Sequence, residues 1–357
     1  MVAITDAASD AAAAMESAGT IIIKIGSSLL VEDAHGAVNA AWLAGVAGDI
    51  AMLREAGKNV VVVSSGAIAL GRRELGIDSR ELALEEKQAA AATGQVTLAH
   101  AWREALAAHG IGVAQILLSP EDTETRRRHL NARATMGALL ELGAVPVVNE
   151  NDTVATAEIR FGDNDRLAAR VAAMISADLL VLLSDIDGLY SANPRQSSAA
   201  VHVPRVDSLS DEVMAMAGSA NAAYASGGMV TKLEAARIAM NAGCGMIICN
   251  GQGARPLSAV MNGARHTLFR AEHSPLTARK RWIGGSLTPR GALRVDAGAA
   301  CHQAGAIAPS RRRDISKRQL RSGRPDRHRG RDRTGDRAWP DSLFGCRYTG
   351  DPGSQKP

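Results

Sequence analysis

The sequence has no apolar run long enough to cross a membrane as a helix. Residues 1–19 carry Asp6, Asp10 and Glu16 but neither Lys nor Arg, so they lack the basic start of a signal or transit peptide and read as a short disordered leader. The four cysteines, Cys244, Cys249, Cys301 and Cys346, include no CxxC pair, which argues against a zinc site or a disulfide framework and suits a reducing cytoplasm. There is no GxxxxGK[ST] loop, no GxGxxG after a strand and no HRD or DFG set. A bound nucleotide would therefore have to be held by some other scaffold.

What is present describes a globular protein. Of 357 residues, 46% are hydrophobic and 22% charged, enough for one large domain, alone or with a smaller second one. The net charge of +4 hides an asymmetry: residues 301–357 hold 14 Lys and Arg against 6 Asp, so the first 300 residues carry −4 and the tail +8.

Along the chain, β-branched runs alternate with helical patterns. Residues 21–25 form a strand ending in Gly26-Ser27-Ser28, and Leu43, Val46, Ala47, Ile50 and Leu53 repeat at helical spacing before Gly57. A second strand over 59–63 ends in Ser64-Ser65-Gly66, with a helix starting at Ala67. Residues 81–108 are Ala-rich and helical with a break at Gly94, 111–118 is a strand, and 131–143 is a helix. Strands follow at 145–148, 179–183 and 245–249, with helices after Asp165 and over 231–242. This order predicts an α/β fold, an open, mainly parallel sheet sandwiched by helices.

The centre of the pattern is 145–165. A short apolar strand turns into Asn149-Glu150-Asn151-Asp152, and a second acidic cluster follows at Gly162-Asp163-Asn164-Asp165. Strands of a parallel sheet present ligand-binding groups at their carboxyl ends. Carboxylates gathered there repel unless a cation joins them, which points to an ammonium, a metal or both. Residues 153–161 between the clusters have no clear period and read as a cover.

The other strand ends carry small residues whose N–H groups can approach phosphate oxygens, and Lys24 and Lys232 add compact positive charge suited to transfer of a γ-phosphoryl group. Lys24 stands between isoleucines one residue before a glycine turn, a place hard to solvate.

Five blocks carry a resemblance: Lys24-Ile25-Gly26-Ser27-Ser28, 64–69, 149–152, 162–165 and Gly227-Gly228-Met229-Val230-Thr231-Lys232. In this order over residues 20 to about 270 they resemble the signature blocks of the glutamate 5-kinases in the amino acid kinase superfamily. The resemblance implies ATP-dependent phosphorylation of the γ-carboxylate of L-glutamate, the first step of proline synthesis. It also implies Mg2+ carried on the ATP phosphates with no protein metal site, feedback inhibition by proline, a homo-oligomer (dimer or tetramer), and glutamyl phosphate reductase as a functional partner.

By position, Lys24, Lys232 and Asp165 take the catalytic roles, Asp165 as an organiser between the lysines. Ser65, Asp152 and Asn164 hold glutamate. Lys24, Gly26, Ser184, Asp185, Ser226, Gly227, Gly228, Met229, Val230, Thr231 and Lys232 line the ATP site. The sequence departs from the family pattern at Ala225, where Gly is usual, and at Ser184, where Thr is usual.

Residues 276–305, with Arg279-Lys280-Arg281-Trp282-Ile283-Gly284-Gly285, resemble the opening of a PUA domain, which breaks off incomplete. The Arg-rich tail, 306–357, is too poor in aliphatic residues to order itself and reads as disordered or out of frame. The alternatives are an acetylglutamate kinase or aspartokinase type of the same superfamily, and a nucleic-acid-associated protein using the basic tail.

Overall fold

The computed structural model describes residues 4–32, 36–77, 81–154, 163–217, 228–273 and 275. The chain divides into two units, Met1–Leu287 and Thr288–Pro357, and every described residue belongs to the first. The PUA-like stretch 276–305, the tail 306–357, most of the cover over 153–161, and Ser226 and Gly227 of the glycine loop lie outside the described residues.

Strand and helix alternate as expected. Helix α1 (Ile4–Ser17) leads to β1 (Thr20–Ile25), the short α2 (Ser27–Leu30) and α3 (Ala40–Glu55). Next come β2 (Asn59–Ser64), α4 (Ala67–Glu74) and α5 (Leu84–Ala107), then β3 (Val113–Leu118), α6 (Pro120–Glu124) and α7 (Arg126–Glu141). Strand β4 (Val145–Glu150) runs into a 3-10 turn, Asp152–Val154, and α8 (Asp163–Ile175). After β5 (Leu179–Ser184) lie three two-residue strands, β6 (Leu189–Tyr190), β7 (His202–Val203) and β8 (Arg205–Val206), and α9 (Asp211–Ala215). Helix α10 (Met229–Asn241), β9 (Gly245–Asn250), α11 (Pro256–Met261) and β10 (His266–Phe269) are the last of the described elements.

Among the described residues eight strands form one sheet in the order β3-β4-β2-β1-β5-β9-β10-β8, with neighbours parallel except where β10 runs against β9. From β1 the chain moves outward on one side to β2, β3 and β4, then crosses to β5 on the other. The carboxyl ends around β1 are thus at a switch point, where open α/β sheets bind ligands.

Both faces are covered, so the strands read as nearly continuous Ile, Val and Leu. Ile21, Ile23 and Ile25 pack with Trp42, Val46, Leu98, Trp102 and Leu257, whereas Ile22 packs with Val61, Ala168, Leu233 and Ala236. Strand alternation puts Lys24 on the Ile22 face, towards α8 and α10.

Two expectations are corrected. The disordered leader gives way to a helix over Ile4–Ser17 whose Ala11 and Met15 are buried together with Ala18 just after its end. These positions recur at i, i+4 and i+7, the spacing of an apolar face that packs a helix on the core, and the lack of basic residues speaks only against a signal or transit peptide. The junction is tied down by Asp178, whose Oδ2 accepts from the N–H groups of Gly19 and Thr20 at 2.9 Å each. The second correction is at Gly94, where α5 continues without a break. A Cβ at Gly94 would lie 1.9 Å from Ala67 O, and one at Gly71 would lie 1.7 Å from Ala90 O. Gly94 therefore serves a backbone-to-backbone approach of α4 and α5 and does not end a helix.

Candidate functional site

Lys24 is the penultimate residue of β1, Asp165 lies in the first turn of α8, and Lys232 lies in the first turn of α10. All three are buried, Asp165 completely. Lys24 Nζ is 2.5 Å from Asp165 Oδ1 and Lys232 Nζ is 3.2 Å from Asp165 Oδ2. Burial alone would push the Asp165 carboxyl up, but the two ammonium groups outweigh it and hold the carboxyl below its usual value. The Thr231 hydroxyl stands 3.1 Å from Asp165 Oδ2 and 2.9 Å from Gly228 O, within reach of both with one proton to donate.

Gly228 caps α10 with extended backbone and no side-chain hydrogen bond, so the first N–H groups of this helix carry no side-chain cap. Met229 is partly buried and Val230 is exposed. Gly26 stands at the end of β1, where an added Cβ would lie 3.9 Å from Lys24 Nζ. Across the sheet at the end of β5, the buried Ser184 donates its hydroxyl to Asp185 Oδ1 at 3.2 Å, and Arg195 Nη2 approaches Asp185 Oδ2 at 3.0 Å. Burial raises the Asp185 carboxyl, and the hydrogen bonds from Arg195, its own N–H and Ser184 bring it to a net lowering.

A second group lies at the ends of β2 and β4. Asn164 Nδ2 donates to Ser65 Oγ at 2.6 Å and to Asn149 Oδ1 at 3.1 Å, and Asn149 Nδ2 donates to Gln95 Oε1 at 2.8 Å. The backbone that presents Ser65 turns at Gly66, whose φ of +114° is left-handed and whose Cβ would press on Leu30 at 3.2 Å. Trp102 on α5 anchors the end of β2 by donating its indole N–H to Ser64 Oγ at 3.0 Å. Asp152 opens the 3-10 turn beside this group, half-buried and without a cation among the described residues, and burial raises its carboxyl to about 6.

The structure thus joins Lys24, Asp165 and Lys232 in one bridge and Ser65 and Asn164 in one hydrogen bond. Two members of the polar group, Asn149 and Gln95, are absent from the residues singled out in the sequence. Asn149 belongs to a block that was recognised, and its burial distinguishes it from its neighbours. Gln95 is one of two polar residues flanking Gly94 in an Ala-rich helix, and only its burial beside the close approach of α4 and α5 sets it apart from Thr93.

Residues 19–250 match the model of the Amino acid kinase family. The chain belongs to the amino acid kinase family. Its relatives include the glutamate 5-kinase of Paramagnetospirillum magneticum, 60% identical over 286 residues that cover 80% of this chain and 77% of that protein. The glutamate 5-kinase of Gluconobacter oxydans is 57% identical over 292 residues, 81% of this chain and 77% of that protein. That of Caulobacter vibrioides is 60% identical over 289 residues, with coverage of 80% and 77%. Among solved structures, the UMP kinase from Ureaplasma parvum aligns at 15% identity with a TM-score of 0.48, covering 70% of this chain and 98% of its own.

Proposed function

We propose that this chain transfers the γ-phosphoryl group of ATP to the γ-carboxylate of L-glutamate, giving L-glutamyl 5-phosphate at the start of proline synthesis. The observation that carries the reading is the Lys24–Asp165–Lys232 bridge at the switch point of the sheet, beside the Ser65–Asn164 pair. Relatives called glutamate 5-kinase at 57–60% identity support the same substrates.

Phosphoryl transfer asks a protein mainly for position and positive charge. Lys24 and Lys232 bring two ammonium groups to one place, and Asp165 keeps them from repelling each other there. Lys24 binds the ATP phosphates and Lys232 stabilises charge on the group in transfer. The attacking carboxylate is already ionised, so no general base is needed.

Gly26, Ser184, Asp185 and the run from Ser226 through Gly227, Gly228, Met229, Val230 and Thr231 to Lys232 line the ATP side. Glutamate is held by Ser65, Asp152 and Asn164, with Asp152 facing its α-ammonium. Mg2+ is expected on the phosphate oxygens of ATP, where it would supply further charge. Asp165 has both oxygens on lysines, and among the described residues no group of three or more His, Cys, Asp or Glu stands ready for a metal.

No described helix is long and apolar enough to cross a membrane. The reading further places the enzyme in the cytoplasm as a dimer or tetramer, inhibited by proline and working with glutamyl phosphate reductase. It assigns catalysis to residues 20–270, with 276–357 dispensable for the reaction.

The test is ATP turnover with glutamate, aspartate, acetylglutamate and UMP side by side, trapping acyl phosphate with hydroxylamine. Turnover and a trapped hydroxamate with glutamate are expected. Preferred turnover of any other acceptor would overturn the reading.

A further inference from the structure

Gln95 is 8% exposed and lies on α5 against the 3-10 turn that begins at Asp152. It ends a relay of three amides, Gln95, Asn149 and Asn164, closed at the other end by Ser65. Two atoms of this relay, Gln95 Nε2 and Asn164 Oδ1, are buried with no hydrogen-bond partner among the described residues. Buried polar atoms are normally paired, so the free Asn164 Oδ1 marks a place where a bound group can supply the partner.

A chain of amides has two self-consistent polarities, because each amide carries an acceptor at one end and a donor at the other. In the observed polarity Gln95 Oε1 accepts from Asn149, Asn149 Oδ1 accepts from Asn164, and Asn164 is left with a free carbonyl oxygen. Reversed, Gln95 Nε2 would donate to Asn149 and Asn149 would donate to Asn164, leaving Asn164 with a free NH2. The first form receives a substrate ammonium. The second repels it. Serine at position 65 does not decide between them, since a hydroxyl both donates and accepts.

The substrate ammonium selects the first form, and we infer that Gln95 is a positioning residue that supports it: as the acceptor of Asn149 Nδ2 it holds Asn149, and through it Asn164, so that Asn164 turns its carbonyl oxygen to the α-ammonium of the substrate. The inference rests on the placement of glutamate beside Ser65, Asp152 and Asn164. Gln95 acts through Asn149 and Asn164, so its removal alters selectivity for the ammonium group and leaves the phosphate side of the site alone.

The experiment compares kcat/KM for glutamate with kcat/KM for glutarate, which has both carboxylates but no ammonium, at pH 8 in the wild-type chain and in Gln95→Met, Gln95→Glu and Asn164→Ala. Gln95→Met should lower the glutamate to glutarate ratio about fivefold, the worth of one neutral hydrogen bond lost from the ammonium-receiving form, with the ATP KM unchanged. Gln95→Glu, which when ionised can only accept, should keep the ratio within about threefold of wild type. Should Gln95→Glu melt early, Gln95→Met combined with Asn149→Asp takes its place, because a carboxylate at 149 also can only accept from Asn164 and should restore the ratio.

Equal losses for both substrates in Gln95→Met would mean a structural role and overturn the inference, as would failure of the acceptor-only variants to keep the ratio. If Asn164→Ala leaves the glutamate KM unchanged, the placement of glutamate itself falls. If Asn164→Ala raises it while Gln95→Met keeps the ratio, only the inference falls.

Discussion

Lys24 and Lys232, 208 positions apart in the chain, stand on opposite oxygens of the same fully buried carboxylate, Asp165. Each lysine depends on Asp165 for its burial, and Asp165 depends on both for its charge. Lys232→Met should lower kcat by roughly 10²–10³-fold with little change in the glutamate KM, because its charge is used in the transition state. Asp165→Asn should lower kcat and also destabilise the fold by roughly 3–5 kcal/mol, since it takes from two buried ammonium groups the carboxylate they share. The Asp165 carboxyl is held low in the folded state, so its stabilising contribution is present above the unfolded value of about 4 and is lost as pH falls through the lower folded one. Steady-state kinetics and urea melts check both.

Asp152 shows the opposite behaviour. Burial raises it to about 6, so in the free protein its ionised form is costly above that pH and the cost disappears on acidification towards 4. Asp152→Asn should therefore raise the melting temperature of the ligand-free protein at pH 8 and have little effect near pH 4. The same variant should weaken glutamate binding by roughly 1.5–3 kcal/mol. In the wild-type chain the glutamate KM should rise as pH falls through about 6, and in Asp152→Asn this rise should vanish. A glutamate KM that ignores pH between 5 and 7 in the wild type would remove Asp152 from the ammonium contact.

Asp49 on α3 is a buried carboxylate with no part in the proposed reaction. It accepts from the N–H groups of Leu257 at 2.9 Å and Ser258 at 3.3 Å, the Ser258 hydroxyl at 2.5 Å and Arg255 Nε at 3.0 Å, and so tethers the start of α11 to the core. Asp49→Ala should cost about 3 kcal/mol in denaturant melts, because these donors lose their acceptor together. The folded fraction should keep its kcat and its glutamate KM.

Two glycines in helices should respond in opposite directions. Gly137 in α7 has nothing within 4 Å of an added Cβ, so Gly137→Ala should stabilise by about 0.5–1 kcal/mol through lost unfolded-state freedom. At Gly94 the same change meets Ala67 O at 1.9 Å, and overpacking of roughly 1–3 kcal/mol or more is expected. Because Gln95 is the next residue, Gly94→Ala should also raise the glutamate KM. Thermal melts of the pair, with kinetics on Gly94→Ala, separate the two cases.

The amino-acid sequence by itself determined the alternation of buried strands and covering helices, the small and charged residues at the strand ends, and the face on which Lys24 projects. These follow from periods of two and about 3.6 residues, which are local properties of the chain. It also held the signal for α1 in Ala11, Met15 and Ala18, a spacing of i, i+4 and i+7 that only burial against the core distinguishes from chance. Which groups meet was decided only by tertiary structure. The Lys24–Asp165–Lys232 bridge needs the order of β1 and β5 in the sheet and the packing of α8 against α10, neither of which a local period encodes. The Gln95–Asn149–Asn164–Ser65 relay needs α4 and α5 to touch backbone to backbone at Gly71 and Gly94, a contact between surfaces far apart in sequence. Glycine in a helical run reads locally as a break. It becomes a contact only when a second helix lies against it, because a missing Cβ is an entropic cost in isolation and a docking surface in a packed core.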